Sequence, residues 1–182
     1  MGENLLHSSL YLNKVTVSKQ IPQGNYLAKL PVVTNLKKMD GLQFTSPVTF
    51  IVGENGVGKS TLIEGIAVAM GFNPEGGTVN FNFSTRESHS DLHEYLTVSR
   101  GYKRHKDGFF LRAESFYNVA SNIDDMDSEP GVGAKVISNY GGISLHKQSH
   151  GESFMALVEN RFMGNGLYIL DEPEAALSPM RL

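Results

Sequence analysis

Two hydrophobic periods alternate along this chain. Early segments repeat at two. "YLNKVTV" alternates apolar and polar positions, "IPQGNYLAKLPVV" is punctuated by Pro22, Gly24 and Pro31, and "MDGLQF" carries the turn pair Asp40-Gly41. These patterns predict short antiparallel strands over the first 47 residues. "VTFIV", residues 48–52, is unbroken β-branched and aromatic, which predicts a strand buried on both faces. After Ser60 the period lengthens. Leu62, Ile63, Ile66, Ala67 and Met70 recur at helical spacing, and Gly71 and Pro74 supply a stop.

The middle of the chain is weaker in pattern. "NPEGGTVNFNFS" predicts a turn leading into a strand with Val79, Phe81 and Phe83 alternating, and "DLHEYLTVSRG" a helix. "RGYKRHKDG" is a basic loop, "FFLRAESF" (109–116) a buried strand, and "NIDDMDSEPGVGAK" an acidic, turn-rich connection. The last third is clear again. "SHGESFMALVENRF" is a helix with Ser149 as N-cap and Glu152 three residues on, a capping box. "LYIL", 167–170, is a short buried strand that ends in Asp171-Glu172-Pro173.

Composition narrows the class without deciding it. The 182 residues suffice for one domain with a core and a small appended lobe, at 40% hydrophobic content and a net charge of −3. There is no cysteine, which excludes disulfides and Cys-ligated zinc. No run approaches a membrane span, and the N-terminus lacks the charge and apolar core of a signal peptide, so a cytoplasmic location is expected.

The candidate chemistry starts at "GENGVGKS". Gly53, Gly58, Lys59 and Ser60 meet the pattern G-x-x-x-x-G-K-[ST], between an expected strand and an expected helix. Glycines allow successive N–H groups to turn inward as an anion nest, and the following helix aims its positive end at the same point. Gly53, Glu54, Asn55, Gly56, Gly58, Lys59, Ser60 and Thr61 are the phosphate-binding candidates, with Lys59 reaching the β- and γ-phosphates and Ser60 ligating Mg²⁺. Downstream, Asp171 at a strand's C-terminal end suits the Mg²⁺ shell, and Glu172 suits activation of a water. No guanine-reading Asn-Lys-x-Asp motif occurs, so ATP is the expected nucleotide. His89, Asp91 and His93 lie close in sequence but do not share a helix face, which argues against a metal site. Arg100, Lys103, Arg104 and Lys106 around Tyr102 read as a solvated basic loop, or as a contact for nucleic acid.

These pieces, in this order, resemble the ABC-class ATPases. "GENGVGKST" resembles their Walker A motif, "QSHGES" a divergent signature motif, "LYILDEP" their Walker B, and "EAALSP" their D-loop. The resemblance from about residue 30 onward is to small stand-alone bacterial ATPases of the AAA_21 type, related to the heads of SMC and RecF proteins. It implies an α/β P-loop NTPase with a mostly parallel core sheet (48–112 and 150–182), N-terminal antiparallel strands (1–47) and a short helical lobe (113–149). It also implies ATP and Mg²⁺ as cofactors and a nucleotide-dependent head-to-tail homodimer. In that dimer Ser149 and Gly151 would contact the partner's γ-phosphate, and DNA is a candidate partner. Glu172 would activate water, and Glu114 would stand where the family has a metal-contacting glutamine. His150 and Glu152 depart from the usual signature residues. The family pattern continues past the D-loop with a strand and a switch histidine, whereas all six histidines here precede Asp171, so a C-terminally shortened form is expected. Alternatives to a mechano-ATPase are the ATP-binding subunit of a transporter and a nucleotide-gated module that does not hydrolyse.

Overall fold

The computed structural model describes residues 10–80, 89–128 and 135–176. They form two compact units, one of residues 1–71 and 88–105, the other of 72–87 and 106–182.

Unit 1 is built on three antiparallel strands in the order β2-β1-β3: β1 (Leu12–Val17), β2 (Leu42–Gln43) and β3 (Leu96–Arg100). The strand expected of "YLNKVTV" forms, with Val15 fully buried and paired with both Leu42 and Val98, but its buried positions, Leu12 and Val15, lie three apart because the register shifts between Leu12 and Lys14. The segment expected to continue as strands after Ile21 does not. It forms a 3-10 turn (Tyr26–Lys29) and helix α1 (Pro31–Lys38). Pro31 is the reason: at the first helical position its fixed φ and missing N–H favour a helix start. Val33 and Leu36 then bury one face of α1.

Helix α2 (Lys59–Met70) matches its helical spacing, burying Leu62, Ile66, Ala67 and Met70, and Gly71 closes it in the left-handed region. Gly65 sits in α2 where Leu92 and Leu96 come within 3.3 Å of an added Cβ, so the helix lies close against α3 (Leu92–Tyr95) and β3. "DLHEYLTVSRG" is thus one helical turn followed by a strand, because Leu96, Thr97 and Val98 find β1 as a ladder partner.

"VTFIV" departs from expectation most. Residues 48–52 form no strand, and Val48, Phe50 and Val52 are 66%, 84% and 86% exposed. A strand buried on both faces needs ladder neighbours, and the described residues offer this segment none.

Unit 2 centres on two parallel strands, β4 (Asp107–Arg112) and β5 (Gly166–Asp171), in register from Asp107↔Gly166 to Arg112↔Asp171. The expected parallel sheet is therefore a two-stranded one among the described residues. The Gly76-Gly77 pair lets a turn approach β4, with Gly77 and Phe110 exchanging backbone hydrogen bonds at 2.8 and 2.9 Å. β4 is buried from Gly108 to Leu111 and half-buried at Asp107 and Arg112; β5, with one ladder neighbour among the described residues, is half-buried until Asp171. Helices α4 (Phe116–Ser128) and α5 (His150–Arg161) cover the strands. The core joins Phe109 and Leu111 of β4 to Val119 and Ile123 of α4 and to Phe154 and Leu157 of α5. The first part of the acidic connection is thus helical, since Val119, Ala120 and Ile123 bury a face of α4. Phe81 and Phe83, residues 129–134, and the second half of "EAALSP" lie outside the described residues.

Candidate functional site: a glycine loop and a carboxylate strand end

In unit 1 the glycine loop runs from Gly53 into α2. Gly56 (φ +81) and Gly58 (φ +94) occupy the left-handed region, and Gly58 is the N-cap of α2. Among the described residues no side chain caps that helix start. The first-turn N–H groups of Lys59, Ser60 and Thr61, orphaned in any helix, therefore face the loop side. Lys59 arches back over the loop. Its Nζ donates to the carbonyl oxygens of Gly53 (2.7 Å) and Glu54 (2.8 Å). The loop leans on α1: the Val32 N–H donates to the Val57 carbonyl at 3.1 Å, and Val32 and Leu30 crowd the α-carbon of Gly58. Sequence reading missed that brace, whose signal is Pro31 opening an apolar-faced helix.

The buried Glu64 of α2 accepts from the Ser90 N–H at 2.6 Å, tying α2 to the segment before α3. The His89 and His93 rings lie 6.4 Å apart. Among the described residues no group of three His, Cys, Asp or Glu is arranged to hold a metal.

In unit 2 the carboxylate candidates gather at the C-terminal ends of the parallel pair. Asp171 is buried, 5% exposed, and its carbonyl accepts from the Ala113 N–H at 3.3 Å. Glu172 is exposed and held at φ +52. Among the described residues two other non-glycine residues share that region, but they are Asp40 and Asn165, types that tolerate it; glutamate does not. Glu114 follows β4 at the same end, exposed, and meets Arg112 at 3.3 Å.

Ser149 caps α5 as the spacing predicted. It accepts from the Glu152 N–H (3.4 Å), its own N–H donates to Glu152 Oε2 (2.9 Å), and its hydroxyl donates to the same oxygen (2.6 Å). The hydroxyl is thus engaged by a carboxylate. Gly151 lies in the first turn of α5.

A network the sequence did not announce lies at the opposite end of the pair, where β4 and β5 begin. Asp107 takes the Arg161 guanidinium at 2.7 Å and the Tyr168 hydroxyl at 2.8 Å. Burial pushes the Asp107 carboxyl up, but hydrogen bonds from Arg161, Tyr168 and the Gly108 N–H outweigh it and hold it below the ordinary carboxylate value. Burial, and then the bond to Asp107, push the Tyr168 hydroxyl up to about 12. Burial likewise raises Tyr140.

The AAA domain family model (AAA_23) matches residues 36–133, more than half of the chain, and the chain belongs to that family of P-loop ATPase domains. The match takes in Gly53–Ser60 and stops short of Ser149, Asp171 and Glu172. No curated protein and no solved structure matches the chain. No helix among the described residues is long and apolar enough to cross a membrane.

Proposed function

We propose that this protein binds ATP with Mg²⁺ at the Gly53–Thr61 loop and hydrolyses it. One observation carries the reading. The loop has left-handed glycines at its turns, an uncapped helix start behind it, and an ammonium group bent over it. That set of groups serves a polyphosphate: N–H donors for its oxygens, the helix dipole for its charge, and a lysine free to exchange two neutral carbonyls for phosphate oxygens. Ser60 would ligate the Mg²⁺ that accompanies the nucleotide at the loop. Glu172 would activate the attacking water; its strained backbone supports a functional role, since a position of that kind otherwise selects Gly, Asn or Asp. In this reading Ser149 and Gly151 serve the nucleotide of a second copy in a head-to-tail dimer.

A second reading is a nucleotide-gated module without turnover. The Glu152 carboxylate on the Ser149 hydroxyl favours it, because a γ-phosphate arriving there would meet a like charge. Steady-state phosphate release separates the two. Turnover in the wild-type chain that is lost in Glu172→Gln supports hydrolysis; equal release by both chains removes Glu172 from the mechanism.

A further inference from the structure

The basic loop after β3 is left unused by the phosphate site. From Tyr95 to Lys106 the sequence has four Lys or Arg, one His and no acidic residue. The loop's start is fixed. Gly101 donates to the Tyr11 carbonyl at 3.1 Å, and an added Cβ there would lie 1.6 Å from the Leu10 oxygen. Arg100 Nη2 donates to the Ala69 carbonyl at 3.0 Å, and the His105 ring meets Tyr11 edge-on at 5.8 Å. Between these anchors Tyr102, Lys103 and Arg104 project into solvent, with Tyr102 71% exposed and the Lys103 ammonium 5.9 Å from its ring centre. No ion pair among the described residues neutralises Lys103 or Arg104. The charge also segregates: unit 1 holds nine Lys and Arg against six Asp and Glu, and unit 2 seven against thirteen.

We infer that the Arg100–His105 loop binds single-stranded nucleic acid, with Tyr102 stacking on a base and Lys103 and Arg104 on flanking phosphates. An exposed ring on an anchored loop is what distinguishes this patch from a merely solvated one. A base offers a face to stack on, and that face is open only where strands are unpaired. Lys103 and Arg104, the two exposed cations that follow the ring, supply charge for phosphates beside the stacked base, and counterion release then makes the binding salt-dependent.

The test uses the full chain and a fluorescein-labelled oligo-dT, followed by polarisation at several KCl concentrations, with a duplex of equal length and phosphatidylserine vesicles as competitors. Tyr102→Ala should weaken oligo-dT binding about tenfold and leave duplex binding within about twofold. The pair Lys103→Ala/Arg104→Ala should lower the salt slope by about 0.7 for each lost contact. Lys37→Ala/Lys38→Ala removes the same charge from the exposed end of α1 in the same unit and should change neither. All variants are at exposed positions, and a thermal melt confirms folding. The inference is overturned by absent oligo-dT binding at low salt, by equal losses from the α1 pair and the loop pair, or by vesicles displacing the oligonucleotide while Tyr102→Ala has no effect.

Discussion

Lys59 Nζ lies 2.7 Å from the carbonyl oxygen of Gly53, its acceptor at the far end of the loop. With the second bond to Glu54, the lysine spans the turn it is meant to serve. Lys59→Ala therefore acts on the protein even without nucleotide. Hydrogen exchange at residues 53–58 should quicken, while global stability falls by no more than about 1 kcal/mol, the net worth of exposed hydrogen bonds of this kind.

The two left-handed glycines of the loop differ in their surroundings. A Cβ at Gly56 meets nothing within 4 Å, whereas one at Gly58 would stand 2.8 Å from Val32 Cγ1. Gly56→Ala should cost about 1 kcal/mol of backbone strain and Gly58→Ala about 2–3 kcal/mol. Val32→Ala in the Gly58→Ala background should recover part of the difference, which denaturant melts will report.

Glu172 is the reverse case, a side chain where the backbone prefers none. Glu172→Gly should be neutral, or stabilising by up to about 1 kcal/mol, while ending phosphate release. A loss of both stability and activity would mean that the φ of +52 serves the fold and not the chemistry.

The Asp107 network makes part of the stability of unit 2 depend on pH. The folded pKa of Asp107 is depressed, so its contribution is present above the unfolded carboxylate value near 4 and is lost as pH falls through the folded value. The folded pKa of Tyr168 is raised to about 12, so its contribution is full below about pH 10 and is lost as pH rises to 12. Tyr168→Phe should flatten the alkaline limb, and Asp107→Asn the acid limb. Arg161→Met, which leaves the Asp107 carboxylate to the Tyr168 hydroxyl and the Gly108 N–H without its cation, should cost about 1–3 kcal/mol.

A head-to-tail dimer predicts complementation. Lys59→Ala and Ser149→Ala chains should each be inactive, yet a mixed dimer of the two keeps one intact composite site. An equimolar mixture should recover about a quarter of wild-type phosphate release. No recovery would place the whole reaction within one chain.

Much of the local structure that carries the candidate residues is legible in the sequence because it is local. The glycine loop, α2 and its Gly71 stop, the Ser149 capping box and the strand ending in Asp171 each depend on residues within a dozen positions. The failures are non-local. "VTFIV" reads as a buried strand by composition, yet burial is conferred by neighbours, and residues 48–52 find none among the described residues. The Asp107–Arg161 pair spans 54 positions, with no periodicity to betray it. The apolar runs punctuated by Pro22, Gly24 and Pro31 predict strands, but Pro31 at a helix start, with Val33 and Leu36 buried on one face, makes Pro31–Lys38 a helix.

The central claim is that Gly53–Thr61 binds a nucleoside triphosphate through Lys59. Equilibrium titration of the full chain with a fluorescent ATP analogue and Mg²⁺ tests it most directly. Saturable binding by the wild type, weakened at least about 30-fold in Lys59→Ala, is the predicted result, in keeping with the loss of a charge-assisted phosphate contact of about 2 kcal/mol. Equal affinity in the two proteins, or no saturable binding by the wild type, would contradict it.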